Sequence, residues 1–468
     1  MKNSITFFIS LFLLYMSIKL PAQNADSLVY NNFIQQVLEN HPLSARAANS
    51  KRYGDLQLRA ARGNYDPVLN GSYRQKYYNQ TDYYSFFSGD IKQPIFTSQY
   101  LKLGYDYGTG PFLNPENSTP VQGLPFLGVE VAVMQGLAID KRRAETLKAR
   151  EYIDYYDADR SQQLNELLFH ASSSYFEWLY QARSLSLNTY FLDLARERLN
   201  AVQQLATIGE RPALDTVEAG ILYQTRLLEL QETQIQFQKS NNQLAQFLWR
   251  ENKPLELQQV SIPADSLESV FTGIKDLLGR TVYTETAANP VIRKYEAMTR
   301  VLNIESRYRR ELIKPVLNIN YNMLNPDAAD GPAIFSNNNY KWGFELAFPL
   351  LFRNPNNAYK MAKLSANNNE LETKNKNNEL VFKRNALKQN LDLISQQLIN
   401  AGKNARFSKQ MLEGEQLKFS IGESSLFLLN TRENKWLEAE LKLAEYRLKF
   451  MQTVLELIYL NGDLKYSF

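Results

Sequence analysis

Residues 67–70 read Pro-Val-Leu-Asn, and the same four residues recur at 315–318, an offset of 248. Further along, residues 208–210 read Ile-Gly-Glu and recur at 421–423, an offset of 213. The matches keep their order while the offset shrinks, which indicates one ancestral unit written twice, with a longer insertion in the first copy. We therefore divide the chain into a first structural repeat over 23–262 and a second over 263–468.

The N-terminus has the pattern of an export signal. Lys2 precedes an apolar run over 5–18, and the small residue Ala22 follows shortly after it. A positive start, a short apolar core and a small residue predict a secretory signal peptide over 1–22. A membrane anchor is the alternative, but the run is short, and no later stretch reaches the ~18–20 apolar residues of a spanning helix. The mature chain is therefore expected to be exported.

Four segments alternate apolar and polar residues strictly. In the segment that begins at Tyr340, Trp342 and Phe344 share a parity opposite to that of Lys341 and Gly343. Such alternation predicts half-buried strands, about 66–80 and 126–138 in the first repeat and about 315–325 and 338–352 in the second. Ten residues is also the length of a tilted strand that crosses a bilayer. A sandwich with a polar outer face is the ordinary alternative.

The strands are accompanied by very long helices. No proline or glycine interrupts residues 140–208, and apolar residues recur there every seven positions. This period predicts coiled-coil packing, and a helix of that length measures about 100 Å. The second repeat predicts an equivalent helix over about 356–421. Both long helices are expected to end at a glycine and to be followed by return helices over 215–250 and 426–460.

Residues 81–125 form the insertion in the first repeat. They contain two further alternating stretches, over 84–96 and 101–107. Two interpretations remain open: an added hairpin that stands outside the membrane, which we prefer, or extra barrel strands.

The duplicated order of helix, strand, strand, long helix, turn and helix resembles the TolC family of outer-membrane efflux and secretion channels. The most specific residues are Gly209, followed six residues later by Asp215, and Ala219 four residues after that. The resemblance implies a mixed α and β fold: a homotrimeric outer-membrane β-barrel with about four strands per protomer, continued by a long α-helical coiled-coil tunnel in the periplasm. Leu428 stands where many relatives carry an acidic residue in the second tip.

The resemblance also implies a function and partners. The protein would be the outer-membrane channel of a tripartite efflux or type I secretion system, a passive exit duct for substrates delivered by an inner-membrane pump and a periplasmic adaptor (membrane fusion) protein. The turns between the long and return helices would dock the adaptor. The candidate docking residues are Gly209, Glu210, Arg211, Asp215, Gly422, Glu423 and Ser424.

Basic residues cluster where helices and strands meet. They are expected either to contact lipid phosphates of the outer membrane or to complement helix C-termini. The second explanation does not apply to residues 141–143, which open a helix, so the lipid explanation is favoured there. The candidate membrane-interface residues are Arg59, Arg62, Lys141, Arg142, Arg143, Arg307, Arg310 and Lys314.

Composition excludes several other classes of protein. The formal net charge of +4 is too small to favour a nucleic acid partner. The chain has no cysteine and two histidines, and it lacks nucleophile, phosphate-loop and zinc-protease motifs. We therefore predict no enzyme, no catalytic residues, no cofactor and no metal. The alternative function is an exported coiled-coil structural protein or adhesin of the envelope, without a conduit.

Overall fold

The computed structural model describes residues 28–95, 98–250, 253–255, 263–281, 289–326, 338–462 and 464. The predicted signal peptide over 1–22 lies outside these residues. Among the residues described, no helix is long and apolar enough to cross a membrane.

Helices account for most of the described chain. The two longest, of 67 and 68 residues, are each about 100 Å long by the rise per residue. Their sequences contain few helix breakers, and glycine follows each end. The helices are α1 (Tyr30–Asn40), α2 (Pro42–Gly63), α3 (Lys141–Thr207), α4 (Ala213–Ala245), α5 (Leu267–Thr281), α6 (Pro290–Glu311), α7 (Arg353–Ser420) and α8 (Leu426–Asn461).

The strands form one large antiparallel sheet and a minor two-stranded one. The strands are β1 (Val68–Tyr78), β2 (Thr81–Pro94), β3 (Gln99–Thr109), β4 (Leu124–Ala132), β5 (Trp249–Arg250), β6 (Lys253–Pro254), β7 (Val316–Leu324) and β8 (Tyr340–Ala347). In the described residues the large sheet has the order β1-β2-β3-β4-β7-β8, and β5 pairs with β6.

The large sheet has more strands than the barrel was expected to take from each protomer. Six strands are present in it where about four per protomer were expected. The additional two, β2 and β3, come from the insertion over 81–125 and continue the sheet between β1 and β4. The physical reason is local: Asn79 and Gln80 both adopt positive φ, which closes a two-residue hairpin turn and returns β2 directly onto β1.

The chain divides into two compact units, each assembled from distant parts of the sequence. One is drawn from the described residues within Met1–Arg46, Gln163–Thr286 and Leu380–Phe468, and its core includes the fully buried Trp178, Phe176 and Met451. The other is drawn from Ala47–Gln162 and Ala287–Glu379 and contains the large sheet. The duplication therefore contributes segments of both repeats to each unit.

Candidate functional site

The two predicted turns share one backbone geometry. Gly209 and Gly422 have φ of +80° and +79°, the left-handed conformation that favours glycine. After α3, the N–H of Glu210 donates to the carbonyl of Leu205 at 2.9 Å. After α7, the N–H of Glu423 donates in the same way to Lys418 at 2.9 Å. Both helices thus end in a Schellman motif, which satisfies carbonyl groups that the helix end leaves free.

The first turn is linked to the end of α7 through Arg211. Its guanidinium lies 3.8 Å from the Asp215 carboxylate and 4.7 Å from the ring centre of Phe419. Asp215 lies in the first turn of α4, where the helix dipole favours an acid. Glu210, by contrast, is exposed. Of the first-turn candidates, Arg211 and Asp215 therefore hold the turn, while Glu210 faces solvent.

The second turn is held by an acid that sequence reasoning did not single out. The hydroxyl of Ser424 donates to Glu415 at 2.6 Å, and Arg432 lies 3.5 Å from the same carboxylate. The Ser424 hydrogen bond, assisted by Arg432, lowers the pKa of Glu415 and keeps it ionised. Ser425 then caps α8 by accepting from the N–H of Leu428 at 3.3 Å. Gly422 and Glu423 remain exposed.

A small apolar cluster joins the two turns. Val202, Ala219 and Leu426 are buried together, with Leu199 and Phe419 packed against them. These residues belong to α3, α4, α7 and α8. The structure therefore brings the docking candidates of both repeats together. They lie at one end of the helical unit, by which we mean the compact unit whose core includes Trp178.

Two buried charges on the helices that follow these turns were missed from the sequence. Glu433 of α8 is 0% exposed, and its carboxylate lies 2.5 Å from the guanidinium of Arg198 on α3. Arg198 also donates to Asn430 at 2.9 Å, and Asn430 donates to Glu218 at 3.2 Å. The sequence could have indicated this pair, because Arg198 and Glu433 are charged residues at positions of the helical repeat that face neighbouring helices.

The second buried charge is Arg226 of α4, which is 3% exposed. It donates to Glu229 at 2.7 Å and to Asn434, and its guanidinium lies 5.6 Å from the ring centre of Phe191. Arg226 lines a groove of about 750 Å³ between α3, α4 and α8.

Within the described residues, no cluster of three or more histidine, aspartate or glutamate side chains is arranged to hold a metal ion.

The basic junction residues separate into two groups. Arg142 and Arg143 are mostly buried and contact the Asp140 carboxylate at 3.2 and 2.9 Å. Burial would raise the pKa of Asp140, but hydrogen bonds from Arg143 and the charges of both arginines outweigh it and lower that pKa. Lys314 pairs with Glu311 at 2.8 Å. Arg142 and Arg143 therefore hold the junction, whereas Lys314 is exposed and forms only a local surface pair.

The remaining five junction residues face solvent and lack a close acidic partner among the described residues. Lys141 has only a long contact of 3.9 Å with Glu145, and in the described residues the other four make no salt bridge. These solvent-facing cations are Arg59, Arg62, Lys141, Arg307 and Arg310. They are the members of the predicted set whose charge is free to meet an external phosphate.

The large sheet has one apolar and one polar face. One row of directly paired residues crosses all six strands and is apolar throughout: Leu69, Ile91, Leu103, Leu127, Met323 and Tyr340. The next row, on the opposite face, contains Lys92, Lys102, Asn322 and Lys341. On the apolar face Trp342 and Phe344 are more than half exposed. A soluble protein rarely exposes so extensive an apolar surface.

The chain is similar to known proteins in its fold and not in its sequence. The sequence matches no protein-family model and no curated protein. Solved structures do match. The open-state MtrE outer membrane channel of Neisseria gonorrhoeae aligns with TM-score 0.65 and 15% identity, over 92% of this chain and 88% of that one. The CmeC outer membrane channel of Campylobacter jejuni aligns with TM-score 0.63 and 13% identity, over 92% and 85%. The outer membrane protein VceC of Vibrio cholerae aligns with TM-score 0.62 and 12% identity, over 92% and 95%.

The chain has the fold of an outer-membrane channel protomer. The predicted resemblance to TolC-like channels is thereby confirmed at the level of the fold, as is the mixed α and β class with long helices. Since the alignments span nearly the whole chain, both the sheet and the helices of this fold are represented.

Proposed function

We propose that this protein is the outer-membrane channel of a tripartite efflux or type I secretion system. It acts as a passive exit duct: the sheet lies in the outer membrane, the helices extend into the periplasm, and an inner-membrane pump delivers the substrate. A periplasmic adaptor connects pump and channel. No catalytic step is required of this chain.

The observation that carries the proposal is the two-faced sheet. Its apolar face presents Leu103, Trp342 and Phe344 outward, and its opposite face carries lysines and asparagines. Exposure to water is unfavourable in free energy for the apolar face, and exposure to lipid is unfavourable for the polar face. A barrel wall between lipid and an aqueous lumen satisfies both faces, because strands in such walls alternate in this way.

Two unpartnered features support assembly with further copies of the chain, and the family resemblance gives their number as three. In the described residues β1 and β8 each pair on one side only, and open sheet edges are not tolerated in lipid. On α4, Leu214, Ile221, Leu228 and Ile235 are spaced seven residues apart and are 64–74% exposed. On α7, Leu393 and Phe407 are likewise exposed and lie two heptads apart, and Ile421, directly after the helix, continues the same spacing. Apolar stripes with this period pack against another helix, here that of a second copy.

The helix turns and the exposed junction cations are assigned to two partners. The turns around Gly209 and Gly422 dock the periplasmic adaptor, with Glu210 and Glu423 as its exposed polar contacts. The exposed arginines at the junctions meet lipid phosphates, where each basic residue contributes about 1 kcal/mol. Arg142 and Arg143 instead hold the junction, and Lys314 pairs locally with Glu311.

The alternative is an exported coiled-coil structural protein without a conduit. Membrane extraction and electrical recording separate the two functions. A channel is expected to require detergent for release from the outer-membrane fraction and to conduct ions in planar bilayers. Lys341→Glu, which reverses a charge on the polar face, is expected to shift the selectivity toward cations. Release by salt alone, with no conductance, would favour the structural protein.

A further inference from the structure

The inserted strands β2 and β3 are interior strands of the large sheet and do not lie at its edge. They lie between β1 and β4, and β3 pairs with β2 and with β4 over most of its length. β2 spans 14 residues and β3 spans 11, which meets the ~9–11 residues of a membrane-crossing strand. The insertion is therefore long enough to belong to the membrane wall.

The inserted strands also place their apolar and polar side chains on the same two faces as the neighbouring strands do. On β3, Leu101, Leu103, Tyr105 and Tyr107 are exposed on the apolar face. Leu103 lies directly opposite Ile91 of β2 and Leu127 of β4. A hairpin surrounded by water would have no reason to continue this apolar face in register.

The opposite face shows the same continuity in its charges. Glu130 of β4 lies 2.9 Å from Lys92 of β2 and 2.6 Å from Lys102 of β3. Both lysines of the inserted strands thus converge on one carboxylate of the adjoining strand. The insertion is joined to the wall by side chains as well as by backbone pairing.

We propose that each protomer contributes six strands to the barrel, so that the trimer closes an eighteen-stranded wall in place of the twelve strands that the family resemblance implies. The inference rests on the proposed function, that of a trimeric outer-membrane channel. Each strand in the order β1-β2-β3-β4-β7-β8 is antiparallel to the next, so β8 is antiparallel to β1. The β8 edge of one copy therefore joins the β1 edge of the next without a change of pattern.

A wall of eighteen strands encloses a wider lumen. Barrel diameter grows roughly in proportion to strand number, so the width increases about 1.5-fold over twelve strands. The loop between β3 and β4 folds over part of the polar face: a Cβ on Gly108 would lie 2.7 Å from Leu113 and 2.8 Å from the carbonyl oxygen of Asn117. In a closed barrel a loop on this face would narrow the lumen, so conductance alone does not report the width of the wall, and the strands themselves must be located.

The test places spin labels at single cysteines, which the native chain lacks. Leu103→Cys lies on the apolar face of β3, Lys102→Cys on its polar face, and Phe344→Cys on the apolar face of β8 as the control. Trimers in liposomes are exposed to oxygen, which concentrates in lipid, and to a water-soluble nickel chelate. We expect the labels at 103 and 344 to collide mainly with oxygen and the label at 102 mainly with nickel.

The control distinguishes the two ways in which the inference can fail. Nickel access at 103 combined with oxygen access at 344 would place the insertion outside the membrane and overturn the eighteen-stranded wall while leaving the channel intact. Nickel access at 344 would remove the whole sheet from lipid and overturn the proposed function itself. Electron cryo-microscopy of the same trimers counts the strands directly: eighteen are expected, and twelve would refute closure by β1 and β8.

Discussion

Gly209 and Gly422 lie at positions where the backbone, rather than packing, demands glycine. Both have positive φ, and no atom lies within 4 Å of the place where a Cβ would be. A larger side chain would therefore meet open space and only a conformational penalty, about 1–2 kcal/mol for a left-handed L-residue. The cost is confined to the turn.

This geometry leads to a prediction about the Gly209→Val, Gly422→Val double variant. Because the penalty is local, trimers should still form in the outer membrane. Transport should be lost, because the altered turns no longer present the docking surface. Accumulation of a fluorescent export substrate in a complemented deletion strain measures transport, and detergent-corrected mass measures assembly.

A matched glycine provides the control for this variant. Gly414 lies inside α7 with the same open surroundings, so Gly414→Ala should preserve assembly and transport and slightly favour the helix. Normal transport by the valine variant, or failure of its trimers to form, would contradict docking at the turns.

At the scale of elements, the long and return helices are coupled by charge as well as by apolar packing. Arg198 of α3 and Glu433 of α8 form an ion pair inside the helical unit. The carboxylate oxygens of Glu433 make no aligned hydrogen bond, so the contact is mainly electrostatic. Such a pair contributes little net stability, yet removal of one partner leaves an uncompensated buried charge.

We expect Glu433→Ala to destabilise the helical unit by about 3–5 kcal/mol, because Arg198 would remain desolvated without its partner. Loss of the helical circular dichroism signal on chemical denaturation measures the change. The double variant Arg198→Met, Glu433→Leu should recover most of the loss, since it removes both charges together. Equal destabilisation of the single and double variants would show that shape, rather than charge, determines this contact.

At the scale of the whole molecule, both the sheet and the helices expose surface that the proposed assembly would cover. The open sheet edges and the exposed stripe on α4 lie in different compact units. A second copy that covers the stripe would remove apolar surface from water at roughly 25 cal/mol per Å². We therefore interpret the exposed stripe as a contact surface for a second copy of the chain.

The corresponding prediction concerns Ile221→Glu combined with Leu228→Glu. Carboxylates buried in a helix seam are costly, so the purified variant should dissociate from trimer toward monomer. Mass measured free of detergent reports the change. Gln224→Glu with Gln231→Glu adds the same charge at exposed positions beside the stripe and should remain trimeric. A native protein that is monodisperse as a monomer would refute the trimer altogether.

Local patterns in the sequence determined much of this architecture. The seven-residue period between 140 and 208 and the absence of proline and glycine specified α3, because helix formation depends mainly on nearby residues. Alternation specified the individual strands, including those at Tyr340 and within the insertion. The glycines at 209 and 422 marked the turns, because only glycine adopts positive φ without cost.

Only the tertiary structure decided which segments meet. Alternation identifies a strand and its two faces but contains no information about its neighbours, so the sequence left the insertion open between an outside hairpin and wall strands. Pairing of β3 with both β2 and β4 resolved its place in the sheet. Likewise, the sequence did not show that Arg142 and Arg143 would pair with Asp140 and be mostly buried. It also did not show that Arg198 would pair with Glu433, more than 200 residues further along the chain. Electrostatic partners depend on distance in space, and the order of residues along the chain does not specify that distance.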